Sequence, residues 1–176
     1  LDGVSIENGR VAGLDLAYWP FPALPDLSPL GGLTALNLVY CELVAVPDLK
    51  VCASLRTLDL QHSSVKVLPP SISGCGALQT LNCHCCKRLQ AIPAAISGCT
   101  SLRTLNLSGC HALEGALPGL AALRCLTDLN CSHAWRLTAL PGLCSLTCLR
   151  TLDLCGCRSL SACPDISGLT DLCHPN

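Results

Sequence analysis

The chain has 176 residues, of which half are apolar, 13% charged and 3% aromatic, with a formal net charge of −1. That balance removes any global electrostatic case for a nucleic-acid partner. No run approaches the roughly 18 consecutive apolar residues of a membrane-spanning helix, and the opening LDGVSIENGR lacks the basic start and apolar stretch of a signal peptide. Because the first residue is Leu1 rather than Met, the expectation is a fragment or a processed form.

In chain order, Val4-Ser5-Ile6 predicts a short strand, Asn8-Gly9 is a strong two-residue hairpin signal, and residues 11–16 predict the returning strand. Residues 1–10 therefore read as an N-terminal capping hairpin strand that covers an open sheet edge. From Val11 one phrase recurs: VAGLDLAYW, then LTALNLVYC from Leu33, LRTLDLQHS from Leu55, LQTLNCHCC from Leu78, LRTLNLSGC from Leu102, LTDLNCSHA from Leu126 and LRTLDLCGC from Leu149. The copies are spaced 22, 22, 23, 24, 24 and 23 residues apart. The centre of each alternates apolar and polar, so Leu105 and Leu107 point to one side of a short strand and Thr104 and Asn106 to the other. After each strand the chain descends to a Leu-Pro-like pair: Leu24-Pro25, Val46-Pro47, Leu68-Pro69, Ile92-Pro93, Leu117-Pro118, Leu140-Pro141 and Cys163-Pro164. Proline lacks an N–H and forces an extended approach, which re-aims the chain. Asp26, Asp48, Ser71 and Asp165 follow closely as candidate caps of a short helical turn. That turn is expected to carry Leu27, Leu49, Ile72, Ile96, Leu120, Leu143 and Ile166 inward. Residues 170–176 read as the truncated start of a further repeat or a tail, with no polar closing cap; either more chain or a partner is expected to cover the last repeat.

A fixed period of this length built on L-x-x-L-x-L marks a repeat solenoid. Residues 11–169, seven repeats of 22–24 residues, resemble the leucine-rich-repeat family. The resemblance implies an α/β fold: a right-handed leucine-rich-repeat solenoid with a curved, parallel, concave β-sheet of about seven short strands. Its convex side would carry short helical or 3-10 turns. Strands stacked about 4.8 Å apart give a concave face about 29 Å long. The combination LNLSGC…LxxLP…ISGC is most similar to the repeats of plant intracellular disease-resistance receptors. In such receptors the solenoid implies ligand sensing or contact with a nucleotide-binding switch domain, so further domains of the same parent chain are expected partners. The opening GVSIENGRVAGLDL is also similar to plant-type extracellular and receptor repeats, which keeps an ectodomain open beside the cytoplasmic reading. The ninth phrase position departs from the family, where asparagine is frequent: here it is Trp19, Cys41, Ser63, Cys86, Cys110, Ala134 and Cys157.

Sixteen cysteines suggest a disulfide framework until they are placed on the repeat. Ten of them, Cys41, Cys52, Cys75, Cys83, Cys86, Cys99, Cys110, Cys131, Cys157 and Cys163, fall where the repeat requires a buried side chain. Cysteine there acts as a small hydrophobe with a weak S–H donor, which favours reduced thiols and a cytosolic setting.

Parallel strands turn columns of side chains toward one groove, so columns are the candidate sites. One is Asp15, Asn37, Asp59, Asn82, Asn106, Asn130 and Asp153, able to grip backbone amides or basic groups of a peptide. Its alternative role, satisfying neighbours across the strands, is the stronger one. Thr57, Thr80, Thr104 and Thr151 form a column suited to strand packing. A variable column runs Tyr18, Tyr40, His62, Cys85, Gly109, His133 and Gly156, with Tyr18 and Tyr40 expected on adjacent strands within stacking range. With His84 these are candidate partner contacts, since rigid exposed aromatics anchor interfaces. The competing reading has Trp19 and Phe21 sealing the cap hairpin while the tyrosines cover its edge. A partly basic strip, Lys66, Lys87, Arg88, Arg136 and Arg158 with His111, is available to an acidic partner or simply solvated.

Cys83-His84-Cys85-Cys86 contains C-x-x-C, but alternation sends Cys83 and Cys86 inward and no second pair completes four ligands. No metal or cofactor is expected. Neither phosphate-loop form nor a nucleophile elbow is present, so no catalytic residue is named and an enzyme is not expected. The sequence predicts a binding module that takes a protein or peptide ligand in the concave groove, as part of a larger receptor or scaffold. The alternative is a structural or redox-responsive solenoid with modifiable thiols, Cys85 and Cys155 first.

Overall fold

Eleven strands are present in a computed structural model that describes residues 3–24, 26–27 and 29–175. Readings that fall on Leu1, Asp2, Pro25 and Asn176 lie outside the described residues. The strands are β1 (Val4–Glu7), β2 (Arg10–Asp15), β3 (Ala35–Asn37), β4 (Thr57–Asp59), β5 (Thr80–Asn82) and β6 (Thr104–Asn106), then β7 (Glu114–Ala116), β8 (Asp128–Asn130), β9 (Arg136–Ala139), β10 (Thr151–Asp153) and β11 (His174–Pro175). Nine form one sheet in the order β1-β2-β3-β4-β5-β6-β8-β10-β11. β1 runs antiparallel to β2 and the others are parallel. Asn8 and Gly9 both have positive φ, 51° and 73°, the conformation a two-residue hairpin between right-twisted strands requires. The cap therefore forms as the Asn-Gly pair predicts.

The register keeps every repeat in phase. Leu14, Leu36, Leu58, Leu81, Leu105, Leu129 and Leu152 pair in sequence across the sheet. Leu105 and Leu107 are buried, with the other inward leucines, in one continuous core that extends from Leu27 to Leu169. Each such leucine contributes about 1.5–3 kcal/mol by leaving water. No repeat holds enough of them alone, so stability is shared between neighbours. The pairing also continues past the seventh phrase: His174 and Pro175 pair with Thr151 and Leu152, and the Cys173 N–H donates to the Arg150 carbonyl at 2.8 Å. An eighth parallel strand thus starts where the sequence reading placed only a truncated start or tail.

On the far side the descending segments build a second parallel ladder. β7 pairs with β9, and Ala45, Val67 and Ala91 form bridges further along. The convex turns are 3-10 helices at Pro70–Gly74, Ala94–Gly98, Leu120–Ala122 and Leu143–Ser145. A repeat this short leaves room for one i→i+3 turn and no more. None of these four helices has a side-chain cap, which corrects the expectation for Ser71. Ser71 lies inside its helix and its Oγ accepts the Leu49 N–H of the preceding repeat at 2.9 Å. Asp48 and Asp165 accept the N–H two residues on, from Lys50 and Ser167. Repeats approach closely on this side; a Cβ on Gly98 would collide with the Ser73 backbone.

Eight of the ten cysteines placed inward are buried. The exceptions are Cys157, half-buried, and Cys163, exposed; with Ile166, 43% exposed, they belong to the repeat that begins at β10, against which only β11 is paired among the described residues on that side. At the ninth position the thiol substitutes for asparagine. Cys41, Cys86, Cys110 and Cys157 each donate S–H to a carbonyl of the preceding repeat, on Leu16, Leu60, Cys83 and Cys131, at 2.9–3.1 Å. The same carbonyls of Leu16, Leu60 and Cys83 also accept a backbone N–H within their own turn.

Burial penalises the thiolate, pushing Cys75 from 9.0 up to about 11 and Cys99 to about 12. The folded state thus keeps protons that the unfolded chain releases. This contribution to stability is complete below pH 9.0 and is lost as pH rises toward 12. The midpoint of urea unfolding should therefore fall across that interval, and fall less steeply in Cys99→Ala; a parallel pH dependence in the two proteins would contradict the burial account.

Candidate ligand-binding groove and its aromatic rim

Two columns wall the concave groove. At the third phrase position stand Gly13, Ala35, Thr57, Thr80, Thr104, Asp128 and Thr151, and at the fifth Asp15, Asn37, Asp59, Asn82, Asn106, Asn130 and Asp153, each set side by side by the strand register. In every member of the fifth column Oδ1 accepts the N–H two residues on, at 2.9–3.1 Å. One oxygen of each is thus committed to the turn that follows its strand, and except in Asn82 and Asp59 the other side-chain atom remains for the groove. Asn82 spends its Nδ2 on Asp59 Oδ2 at 3.2 Å. Between the columns lie two hollows. The larger, about 510 Å3, sits over the N-terminal strands, where Gly13 and Ala35 leave space. The second, about 340 Å3, is bounded by Thr104, Asn106, Asp128, Asn130, Thr151 and Asp153.

Tyr18, Tyr40, His62, Cys85, Gly109, His133 and Gly156 all have positive φ, between 55° and 73°. They lie in the turns after the strands, which corrects the expectation that Tyr18 and Tyr40 occupy adjacent strands. The N–H of each of the first six donates to the carbonyl of the seventh position one repeat on, for example Tyr18 to Val39, Tyr40 to Gln61, His62 to His84 and His133 to Cys155, at 2.7–2.9 Å. The ninth residue then returns an N–H to the sixth carbonyl, as Trp19 does to Leu16. A turn closed this way with φ > 0 at its third residue favours glycine or asparagine; five of these seven positions instead carry a side chain and accept the strain.

The strain presents those side chains at the groove's rim. Tyr18 and Tyr40 stack at 5.2 Å with a 4° interplanar angle. Tyr40 stacks on His62 at 4.4 Å and 3°, and His62 meets His84 edge-on. Tyr18 and Tyr40 remain 71% and 47% exposed. Trp19 and Phe21 pack edge-to-face on each other at 5.3 Å, and Trp19 Nε1 donates to the Ala23 carbonyl. His133 is exposed and stands over Gly156, where a Cβ would come within 2.7 Å of its Nδ1.

The sequence reading missed a second stack, whose signal was the tenth position of three consecutive phrases. His111 lies face to face with Trp135 at 3.8 Å, and the Arg158 guanidinium sits 5.7 Å from the Trp135 ring centre. Partial burial, with Lys87 and His133 nearby, holds the His111 imidazole below its usual value. Within the basic strip Arg136 pairs with Glu114 at 2.9 Å across β7 and β9; Lys66, Lys87 and Arg88 are exposed. Cys83 and Cys86 are buried, while His62, His84 and Cys85 bring potential ligand atoms together at the rim.

No protein-family profile matches the chain, and no curated protein matches it in sequence. Solved structures do. The leucine-rich-repeat domain of the type III effector XopL is 26% identical over 96% of this chain and 76% of that one, with a TM-score of 0.51. The Arabidopsis receptor kinase HAESA, in complex with the peptide hormone IDA and the co-receptor SERK1, matches at 23% identity and a TM-score of 0.65 over 87% of this chain. The plant peptide-hormone receptor RGFR1, in complex with RGF2, matches at 21% and 0.55 over 86%. The fold is a leucine-rich-repeat solenoid. This solenoid spans 31% and 28% of the HAESA and RGFR1 chains. No helix among the described residues is long and apolar enough to cross a membrane.

The left-handed turns yield a prediction. Among the described residues His133 makes no ring stack, so His133→Gly should relieve the turn and raise stability by up to about 1 kcal/mol, offset in part by glycine's greater unfolded-state entropy. Urea unfolding measures it; a loss of stability would show that the side chain, not the backbone, holds this turn.

Proposed function

We propose that the concave groove and its aromatic rim receive an extended protein or peptide segment, and that the solenoid is the recognition part of a larger receptor or scaffold. The observation that carries this reading is the exposed stack of Tyr18, Tyr40 and His62, carried on the turns that follow the strands lining the larger hollow. These rings are already ordered against one another, so an incoming chain loses little further entropy in using them. The second carboxylate oxygens of Asp15 and Asp153 supply acceptors for N–H or basic groups along the groove, and Lys66, Lys87 and Arg88 supply cations beyond it. The peptide hormones held by HAESA and RGFR1 support a peptide as occupant. The ninth-position cysteines and the Leu-Pro descent support the narrower likeness to plant intracellular disease-resistance receptors. The buried thiols support a reducing, cytosolic compartment.

Tyr18→Gly and Tyr40→Gly test this without breaking the turns, because glycine is what Gly109 and Gly156 already place there. Peptides selected on the wild-type protein from a displayed random library should bind the double variant at least tenfold more weakly, about 1.4 kcal/mol, with the thermal midpoint nearly unchanged. Equal binding by both proteins, or weaker binding matched by unfolding of the N-terminal repeats, would refute the reading.

A further inference from the structure

We infer that His62, His84 and Cys85 form a binding site for one borderline-soft divalent cation, zinc in type, with two imidazole nitrogens, one thiolate and a fourth position open to solvent. The inference does not rest on peptide binding. The three ligand atoms lie within 4.8 Å of one another and all three residues are half-buried. Cys85 Sγ and His84 Nε2 are 3.3 Å apart. Tetrahedral zinc with its usual Zn–S and Zn–N bonds holds such atoms about 3.6 Å apart, so the pair needs to open by only a few tenths of an ångström.

The protonation of His84 is already the one a metal requires. The Ser108 N–H donates to Asn106 at 3.0 Å, which fixes the accepting atom as the amide oxygen. The Ser108 hydroxyl donates its single hydrogen to that same oxygen at 2.7 Å. Ser108 Oγ can therefore only accept in its 2.7 Å contact with His84 Nδ1. Nδ1 therefore carries a hydrogen, and the neutral imidazole with that tautomer turns its Nε2 lone pair toward the Cys85 thiol. An imidazole oriented by a hydrogen bond from its other nitrogen is the usual support of a metal-binding histidine.

The backbone holds the group from both sides. His62 and Cys85 occupy the left-handed position of consecutive turns, with the His62 N–H on the His84 carbonyl at 2.9 Å and the Cys85 N–H on the Ser108 carbonyl at 2.7 Å. Gly109 leaves the thiol its room, since a Cβ there would come 2.9 Å from Cys85 Sγ. A hollow of about 250 Å3 adjoins His62 and Cys85 and is bordered by Lys87 and Arg88. Those cations favour an anionic fourth ligand, water-derived hydroxide or a carboxylate. On binding, the Cys85 S–H bond breaks, its proton passes to solvent, and the sulfur–metal bond forms with no change of oxidation state.

The test uses the full chain, reduced and freed of metal with a chelator, titrated with Co2+ as an optical probe and then displaced with Zn2+. One equivalent of Co2+ should give a thiolate charge-transfer band and the strong visible absorption of a four-coordinate site. His62→Gly and Cys85→Gly keep the turn, and with His84→Ala each should weaken binding about 100-fold. Ser108→Ala should weaken it about 10- to 100-fold, acting only through His84. Cys155→Ser, an exposed thiol outside the site, should change nothing, and Zn2+ should protect Cys85 but not Cys155 from alkylation. Thermal melting confirms that each variant is folded. A thiolate band that survives Cys85→Gly, no band in the wild type, or protection spread over Cys125, Cys148, Cys155 and Cys173 would overturn the proposal.

Discussion

The turns after the first six repeat strands each donate a backbone N–H to the repeat that follows, and that bond organises the rest of the molecule. To aim the N–H forward, the eighth residue of the phrase takes positive φ, which turns its side chain to the rim. The ninth residue then swings inward, where a thiol meets a carbonyl of the repeat before. One constraint thus produces two opposite outcomes in adjacent residues: Tyr40 stands exposed and Cys41 is buried. The fifth-position carboxylate or amide closes the arrangement by accepting an N–H inside the same turn.

Because contacts run from neighbour to neighbour, the protection of any side chain depends on where its repeat lies. Ile92 and Cys163 hold the same place before the proline of the descent, yet Ile92 is buried and Cys163 is exposed. Ile96 and Ile166 differ in the same way. The second ladder, through Ala45, Val67, Ala91 and the β7–β9 pair, ties successive descents together on the side where the main sheet cannot reach.

Much of this was legible in the residues. Alternation at Leu105 and Leu107 set the inner side of every strand, and Asn8-Gly9 announced the cap. The burial of Cys83 and Cys86 followed from their place in the phrase and turned attention from the C-x-x-C pair. The left-handed turns were hidden because Tyr18, Tyr40, His62, Cys85 and His133 are not residues that favour that conformation; only Gly109 and Gly156 hinted at it. The second ladder was hidden because Glu-Gly-Ala and Arg-Leu-Thr-Ala carry no shared alternation. The trio of His62, His84 and Cys85 joins two different phrases at different positions, so neither local spacing nor a single column reveals it. The fifth column read first as a brace across the strands and second as a ligand contact; that each Oδ1 accepts the N–H two residues on was not legible in the residues.

The left-handed eighth position has a further consequence. Its conformation is imposed by bonds from the flanking repeats and owes nothing to the side chain it bears, as tyrosine, histidine, cysteine and glycine all occupying it demonstrates. Apart from Gly109 and Gly156, where the neighbouring side chain leaves a Cβ too little room, the column is a row of sockets whose chemistry can be rewritten one residue at a time, leaving the leucine interior undisturbed.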